Sequence, residues 1–486
     1  MSSSGARSFA GNALWMVVAE ASSKIASFVF VVIVARELGT RGYGYIAFAL
    51  AFFPLLLMFG RAGLDATTVR DIARDRSRMS VVFASGLRIR TGLAVVALLA
   101  GCLLAPLFVP SGRILAAVIV TGAALFLDEI STFLGTIFKA YERMWWHALV
   151  TLVNRIVSTA LAFIVLSATD DLVLVAVAYA LGSLGALVFG WIVLLRKFPP
   201  IDLRAADRRI ATGLLAQGAP LGFAALLSMA AFRVDMVLLQ ALRGPVAVGL
   251  YGVAYRFLES LLFVAWNLAN VALPRLARSD SKATWSRTFE ATLSLIFLFY
   301  LPIAVGSMFL SRWVVVAVFS DRFAGAAAAV PWLTWSALLY GIAHLSRMST
   351  VARGSSRGIV YVALGALSIN VVGNLIFIPT HGFIAAAVVT FVTECFEAVA
   401  LGGMFVRRYG WPRPSGVVLV APVAAAGMTI ALAATGDHEA IGFGVGVVTY
   451  LVLAVVAARL LAAEEFRQLT SLLRKRGAVE AGTQIP

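Results

Sequence analysis

Charge is scarce in this chain. Of its 486 residues only 13% are Asp, Glu, Lys or Arg, while 61% are hydrophobic and the mean hydropathy is +0.93. Soluble globular proteins average about 25% charged residues. No soluble core hides so much apolar surface, because even a large soluble protein needs a polar exterior; the remaining solvent is lipid. Cysteine is almost missing too. Cys102 and Cys395 both lie in apolar runs, which excludes a disulfide framework and a cysteine metal site. Histidine is equally sparse: His147, His344, His381 and His438 are scattered over different spans and loops. There is no G-x-x-x-x-G-K-[ST] phosphate loop, no H-E-x-x-H and no G-x-S-x-G elbow. ATP hydrolysis and enzymatic chemistry are therefore not expected, and no cofactor or metal is implied. Acidic residues are the scarcer charge, 24 against 40 Lys and Arg, leaving a net +16 and a pI near 10.5. The cations sit in short clusters at the ends of apolar runs and form no continuous stripe, so nucleic acid is not expected as a partner.

What the chain does have is long apolar runs. A transmembrane helix needs about 20 mostly apolar residues. That length predicts spans over 12–36, 43–60, 88–109, 114–138, 148–167, 172–195, 217–241, 248–273, 290–311, 328–347, 358–378, 384–405, 415–434 and 441–462. Connections such as Thr169-Asp170-Asp171 and Pro379-Thr380-His381-Gly382 are short enough to force antiparallel neighbours. Glu20 and Lys24 interrupt the first run, which reads as a retained helix because a cleaved signal needs an unbroken apolar stretch. Counting Lys and Arg in alternate loops and tails gives about 27 on one side and 6 on the other, which predicts both termini in the cytoplasm of an inner-membrane protein. Residues 61 to 80, with Asp65, Arg70, Asp71, Arg74 and Asp75 around apolar positions, read as an amphipathic surface helix. The tail after residue 463 reads as a short amphipathic helix followed by disorder.

An internal repeat is visible. Gly42-Tyr43-Gly44-Tyr45 follows the first span and Gly249-Leu250-Tyr251-Gly252 the seventh, about 207 residues later. Six helices separate the copies, an even number, so the two copies have the same orientation.

Ionisable residues inside apolar spans are the candidates for function, since a charge at mid-bilayer costs at least ~2.5 kcal/mol and needs a partner or a task. They are Glu20 and Lys24, Asp128 and Glu129, Arg155, Arg233 and Asp235, Arg256 and Glu259, and Glu394 and Glu397. Glu20–Lys24 (i,i+4) and Arg256–Glu259 (i,i+3) can pair along one helix. Arg233 and Asp235 are i,i+2 and point to different sides, so each needs a partner elsewhere. Arg155 has no acid within a turn. Asp128, Glu129, Glu394 and Glu397 lie nearer span ends or beside like charges, where water can reach them. Asn370 and Asn374 (i,i+4) share one face and are expected to hydrogen-bond across helices. Glu20, Lys24 and Glu259 are also candidates for ion coupling.

Three stretches together resemble the oligosaccharide flippases that export bacterial polysaccharide repeat units, of the multidrug/oligosaccharidyl-lipid/polysaccharide exporter superfamily. They are Asn12-Ala13-Leu14-Trp15 followed by residues 35–44; Gln217 to Glu259, with Pro220-Leu221-Gly222, Arg233-Val234-Asp235 and Ala254-Tyr255-Arg256; and Asn370 to Glu394, with Asn374, Ile378-Pro379 and Gly382. The resemblance runs from residue 8 to 462. It implies an all-α polytopic fold of about fourteen helices: two pseudo-symmetric six-helix lobes (1–200 and 201–410) around a central cavity, two further helices (411–465) and a cytoplasmic tail (466–486). It also implies a cargo, undecaprenyl-pyrophosphate-linked oligosaccharide, turned from the inner to the outer leaflet. Membrane lipids and other polysaccharide assembly proteins are the implied partners. Carried over by position, Arg233, Asp235, Arg256 and Glu259 would face the cavity from the second lobe and Lys24 from the first. The arginine-rich first helix of lipid II flippases is missing, which ranks that cargo second. A multidrug antiporter of the same superfamily would need a cavity dominated by acids, and a membrane polymerase or ligase a sizeable external loop, which this chain lacks.

Overall fold

The computed structural model describes residues 3–61, 63–278, 281–352, 357–410, 416–436 and 438–462. Side chains ahead of Ala21, Glu20's among them, lie outside the described residues, and so does the expected amphipathic tail. The described chain is helical: α1 (Ser3–Arg61), α2 (Leu64–Arg74), α3 (Met79–Leu104), α4 (Arg113–Ala140), α5 (Met144–Leu166), α6 (Leu172–Lys197), α7 (Arg208–Arg243), α8 (Pro245–Arg278), α9 (Lys282–Phe319), α10 (Val330–Val351), α11 (Arg357–Tyr409), α12 (Gly416–Thr435) and α13 (Glu439–Leu461). Hydrocarbon offers the backbone no hydrogen-bonding partners, and a helix is the element that satisfies itself within one segment.

Ten of these helices are long and apolar enough to cross a membrane, and the bent pair Asp321–Ala328 and α10, 52° apart, makes an eleventh. At 1.5 Å per residue the 59 residues of α1 would reach ~88 Å, about three times a hydrocarbon core. It makes two crossings, divided at Gly39 (φ 66°, ψ −174°); the 53-residue α11 does likewise at Gly382 (φ 61°, ψ −141°). With α7, 36 residues long, and α1 and α11 each divided in two, the described helices supply about fourteen membrane-length segments, in line with the number expected from the apolar runs.

The helices gather into two compact units. One comprises Met1–Val253, Val318–Phe323 and Asn370–Ala386; the other comprises Ala254–Ala317, Ala324–Ile369 and Ala387–Pro486. In the first, α3, α4, α5 and α6 enclose an aromatic core in which Phe83 stacks on Phe133 (5.5 Å) and Phe138 lies 5.1 Å from Phe198. In the second, Trp285 and Phe289 of α9 stack on Phe405 of α11. There α12 and α13 lie on α9 through Leu310, Met428, Leu432 and Tyr450, whose hydroxyl donates to Leu298 O at 2.8 Å.

The expected surface helix is α2, which buries Leu64, Thr67, Thr68 and Ile72. Asp75 follows it and accepts from both Ser77 Oγ (2.6 Å) and Ser77 N (3.0 Å), bonds that hold its carboxyl below the usual range. This turn lets α3 begin at Met79, nine residues ahead of the expected start at 88. Arg88 and Arg90 therefore lie inside a membrane-length helix. Arg90 is fully buried, and what makes that tolerable is a neutral four-residue set. Its Nη2 donates to Glu129 Oε2 of α4 (2.6 Å) and its Nη1 to Asp65 Oδ1 of α2 (3.4 Å). Arg61, at the end of α1, forks onto the same Glu129 through Nε (3.0 Å) and Nη2 (2.5 Å). Glu129 is thus not at a wet span end.

The repeat is present with a corrected register. Gly39 and Gly244 are 205 residues apart and share one left-handed conformation (φ 66°, ψ −174°; φ 80°, ψ −175°), open to glycine at no steric penalty. Five residues after each comes a second glycine, Gly44 and Gly249, again 205 apart. A Cβ on Gly44 would lie 1.9 Å from Pro245 O, and one on Gly249 would lie 2.0 Å from Thr40 O. The contact is reciprocal: each copy's glycine seats the other copy's carbonyl, as a pseudo-two-fold axis requires.

Two stability outcomes follow from these contacts. Gly249→Ala should destabilise the purified protein by about 1–3 kcal/mol, because backbone cannot retreat from a methyl group at that distance. Gly185→Ala, where a Cβ meets nothing within 4 Å, should be neutral or slightly stabilising in the same unfolding assay. Arg90→Leu should lower stability by about 3–5 kcal/mol by stranding buried carboxylate charge, and adding Glu129→Leu should recover much of it. Strictly additive losses in the double variant would show that the two side chains do not act as a pair.

Candidate functional site

Each unit, taken by itself, holds charged side chains within its apolar helices. In the first unit the centre is α5, which presents Asn154 and Ser158 on one face and Arg155 beside them. α6 approaches so closely that a Cβ on Gly182 would lie 2.0 Å from Ser158 Oγ. That approach lets Asn154 Nδ2 reach both Asp128 Oδ1 of α4 (2.5 Å) and Ser183 Oγ of α6 (3.3 Å). Arg155 Nη1 donates to Tyr179 OH (3.0 Å), which in turn donates to Asp128 Oδ2 (3.3 Å). Arg155, which has no acid within a turn, thus finds one through a tyrosine. Its guanidinium also sits 5.9 Å from the Tyr179 ring centroid.

α1 packs against this network. Phe30 contacts the Tyr179 ring at 5.4 Å, and Thr159 Oγ1 of α5 donates to Ala26 O at 3.3 Å. Lys24, an exposed residue of α1, is two positions from that contact, and Arg155 is four positions from it on α5. The structure therefore brings these two expected cations to adjoining turns of neighbouring helices.

Asp235 of α7 is buried and accepts from Tyr251 OH of α8 (2.6 Å) and from Met236 N (2.7 Å). The i,i+2 spacing excluded Arg233 as its direct partner along the helix, and the partner found is a tyrosine sixteen residues on. Arg233 is half-buried and within electrostatic range of Asp235. Asn370 and Asn374 are buried, but the bond found runs along their own helix, Asn374 Nδ2 to Asn370 Oδ1 at 3.0 Å, and not across helices as expected.

In the second unit Arg256 Nη1 pairs with Glu259 Oε2 at 2.7 Å, the local pair that the i,i+3 spacing permits. Both are about four-fifths buried. Glu394 and Glu397, expected to be wet, are buried at 7% and 9% exposure, and Glu397 is paired with Arg347 Nη2 of α10. The sequence reading missed Arg90, Arg61, Asp65, Tyr179, Tyr251 and Arg347 as partners. The one signal available was that Glu129, Asp235 and Glu397 each demanded a partner from some other helix.

Known proteins bear on this arrangement. Residues 9–280, more than half of the chain, match the family described as Polysaccharide biosynthesis protein. An uncharacterised membrane protein of Methanocaldococcus jannaschii is 26% identical over 399 residues, covering 74% of this chain and 76% of that protein. Among solved structures, the lipid II flippase MurJ in an inward closed conformation superposes with a TM-score of 0.77 at 16% identity, covering 92% of this chain and all of that one. An inward-facing multidrug resistance MATE family transporter of the MOP superfamily gives 0.69 at 15% identity, covering 79% and 94%. At such identities the superpositions speak for a shared fold, and the family match speaks for descent. The chain is a multi-pass membrane protein that belongs to the polysaccharide biosynthesis protein family.

Proposed function

We propose that this protein carries a lipid-linked oligosaccharide with a pyrophosphate headgroup from the inner to the outer leaflet of the cytoplasmic membrane, by alternating access. The reading rests on the family match joined to one physical observation: a family of polysaccharide biosynthesis is met here with cations held inside membrane spans and with no catalytic motif. A pyrophosphate carries two or more negative charges, and bare passage through about 30 Å of hydrocarbon is prohibitive. Guanidinium groups fork onto phosphate oxygens in two parallel bonds and remain charged at any working pH. Arg155, Arg233 and Arg256, with Lys24, are the residues assigned to the headgroup, with Asp235 and Glu259 beside them; Glu259 holds Arg256 while the site is empty. The polyprenyl tail stays in the bilayer, so the protein shields only the polar end. Both termini lie in the cytoplasm, and membrane lipids and other polysaccharide assembly proteins are the partners. The fold is shared with a lipid II flippase and with multidrug transporters, which makes those two activities the alternatives. Tyr179 links Arg155 to Asp128, and Asn154 fixes the same carboxylate from α5, so the guanidinium is held in place ahead of an incoming phosphate.

Two experiments test this. Arg155→Ala and Arg233→Ala should each lower flipping of an undecaprenyl-pyrophosphate oligosaccharide about ten- to a hundredfold per correctly inserted molecule, and Arg→Lys should restore part of it. Normal activity at reduced abundance would mean that the arginine only holds helices together. For orientation, a cysteine at Arg204 should be shielded from a membrane-impermeant thiol reagent in intact cells and one at Thr169 labelled; the reverse pattern would invert the topology.

A further inference from the structure

A second polar cluster lies in the second unit, apart from the residues assigned to the headgroup. Tyr340, His344 and Arg347 recur at i, i+4 and i+7 and so share one face of α10. The Tyr340 and His344 rings stack, 5.5 Å apart at 13°. Trp266 of α8 donates its indole N–H to Tyr340 OH, and Arg347 donates to Glu397 of α11. Glu394, one turn before Glu397, lies within electrostatic range of Glu397, Arg347 and Tyr340. Cys395 is the other titratable neighbour on its helix.

Two atoms here are buried with no hydrogen-bond partner among the described residues: Glu394 Oε2, on a side chain 93% removed from the surface, and His344 Nδ1. Thr393, the residue before Glu394, donates to Val389 O, and Tyr340 OH accepts from the Trp266 indole. The charges do not balance either. Two carboxylates face one guanidinium, and Arg347 is already paired with Glu397. An unpaired ionised carboxylate in such surroundings costs several kcal/mol, which one bound cation would remove. A metal ion would need several oxygen ligands, and no group of three metal-binding side chains exists among the described residues. The fixed charge of Arg347 also repels it. A proton needs only the one oxygen that is left over, and a cationic His344 would stand against Arg347 on its own helix.

We propose that Glu394 is a proton-binding site, loaded while Glu397 holds Arg347 and emptied when Arg347 turns from Glu397 to Glu394. Uptake forms one O–H bond on the carboxyl and release breaks it; nothing is oxidised or reduced. Ionised Glu394 competes with Glu397 for Arg347, and the rearrangement is felt at Tyr340 and hence at Trp266 on α8. The protonation site makes α8, α10 and the second half of α11 respond to one proton. Its use as the drive for flipping rests on the transport reading above; the site itself does not.

The test is infrared difference spectroscopy of the full chain in lipid nanodiscs, titrated from about pH 5 to about 10, a range that spans documented buried glutamic acids. The wild type should show a protonated-carboxyl band that disappears at the alkaline end. Glu394→Gln should lack that band, Glu394→Asp should shift it, and Arg347→Gln should add a second band from Glu397. The change in Trp266 emission with pH should vanish in Glu394→Gln. A wild type without a titrating carboxyl band, or one whose band is the same in both Glu394 variants, overturns the site. The Asp variant decides the matter if the Gln variant does not fold. A band with these properties in a protein that flips no lipid-linked oligosaccharide would stand for the site and against the transport reading.

Discussion

An ion inside hydrocarbon must be neutralised by something the protein carries in with it, and that demand accounts for where the polar side chains of this chain sit. Arg90 can be wholly buried because α2 and α4 each bring it a carboxylate. Glu129 can accept two arginines because Arg61 arrives as a fork on both oxygens and Arg90 adds one bond to Oε2, which satisfies its lone pairs as well as its charge. Asp235 draws on a tyrosine and a backbone N–H. These pairings tie helices together at fixed heights, since a shift of one residue along α3 or α4 would strand a charge. The polar groups therefore set register in a core whose apolar contacts would tolerate sliding.

Close packing supplies the complementary constraint. Lipid gives no hydrophobic drive for helices to associate, so contact has to come from shape. Gly182 lets α6 reach Ser158, and without that approach Asn154 could not span from Asp128 to Ser183. Gly44 and Gly249 do the same for the two copies of the repeat, each accepting the carbonyl that follows the other's left-handed glycine. A duplicated helix–glycine–helix motif thus becomes a symmetric backbone crossing, built of groups that lose no side-chain entropy on meeting.

The number of crossings was legible in the sequence because charge is so scarce that each cluster of it marks a boundary. The rule failed at Arg88 and Arg90, where charge lies inside a helix. Its partners are 25 and 39 residues away, beyond anything that i,i+4 spacing reports. Local pairs were legible for the same reason in reverse: Arg256 and Glu259 pair at i,i+3. The repeat was visible but misaligned by two residues, because matching Gly42 to Gly249 by sequence likeness ignores what the glycines are for. Positive φ at Gly39 and Gly244 and carbonyl contact at Gly44 and Gly249 fix the register, and both are properties of backbone geometry. Asn370 and Asn374 were placed on one face correctly, yet spacing alone could not tell a bond along the helix from one across it.

Charge balance sorts the networks by what they can do. Arg61 and Arg90 against Asp65 and Glu129 sum to zero, and so do Arg155 against Asp128, and Arg256 against Glu259. A neutral set of four groups in direct contact, with Arg90 and Glu129 buried at its centre, has no reason to exchange anything, and its role is to hold α1 to α4 in place. The Arg155–Asp128 set differs in that a tyrosine is built into it, donating to the carboxylate and accepting from the guanidinium. Glu394, Glu397 and Arg347 sum to one negative charge, and a set with that surplus is complete only with a further positive species. The three kinds of set use the same few residue types. Their different tasks follow from whether the charges cancel and whether they touch.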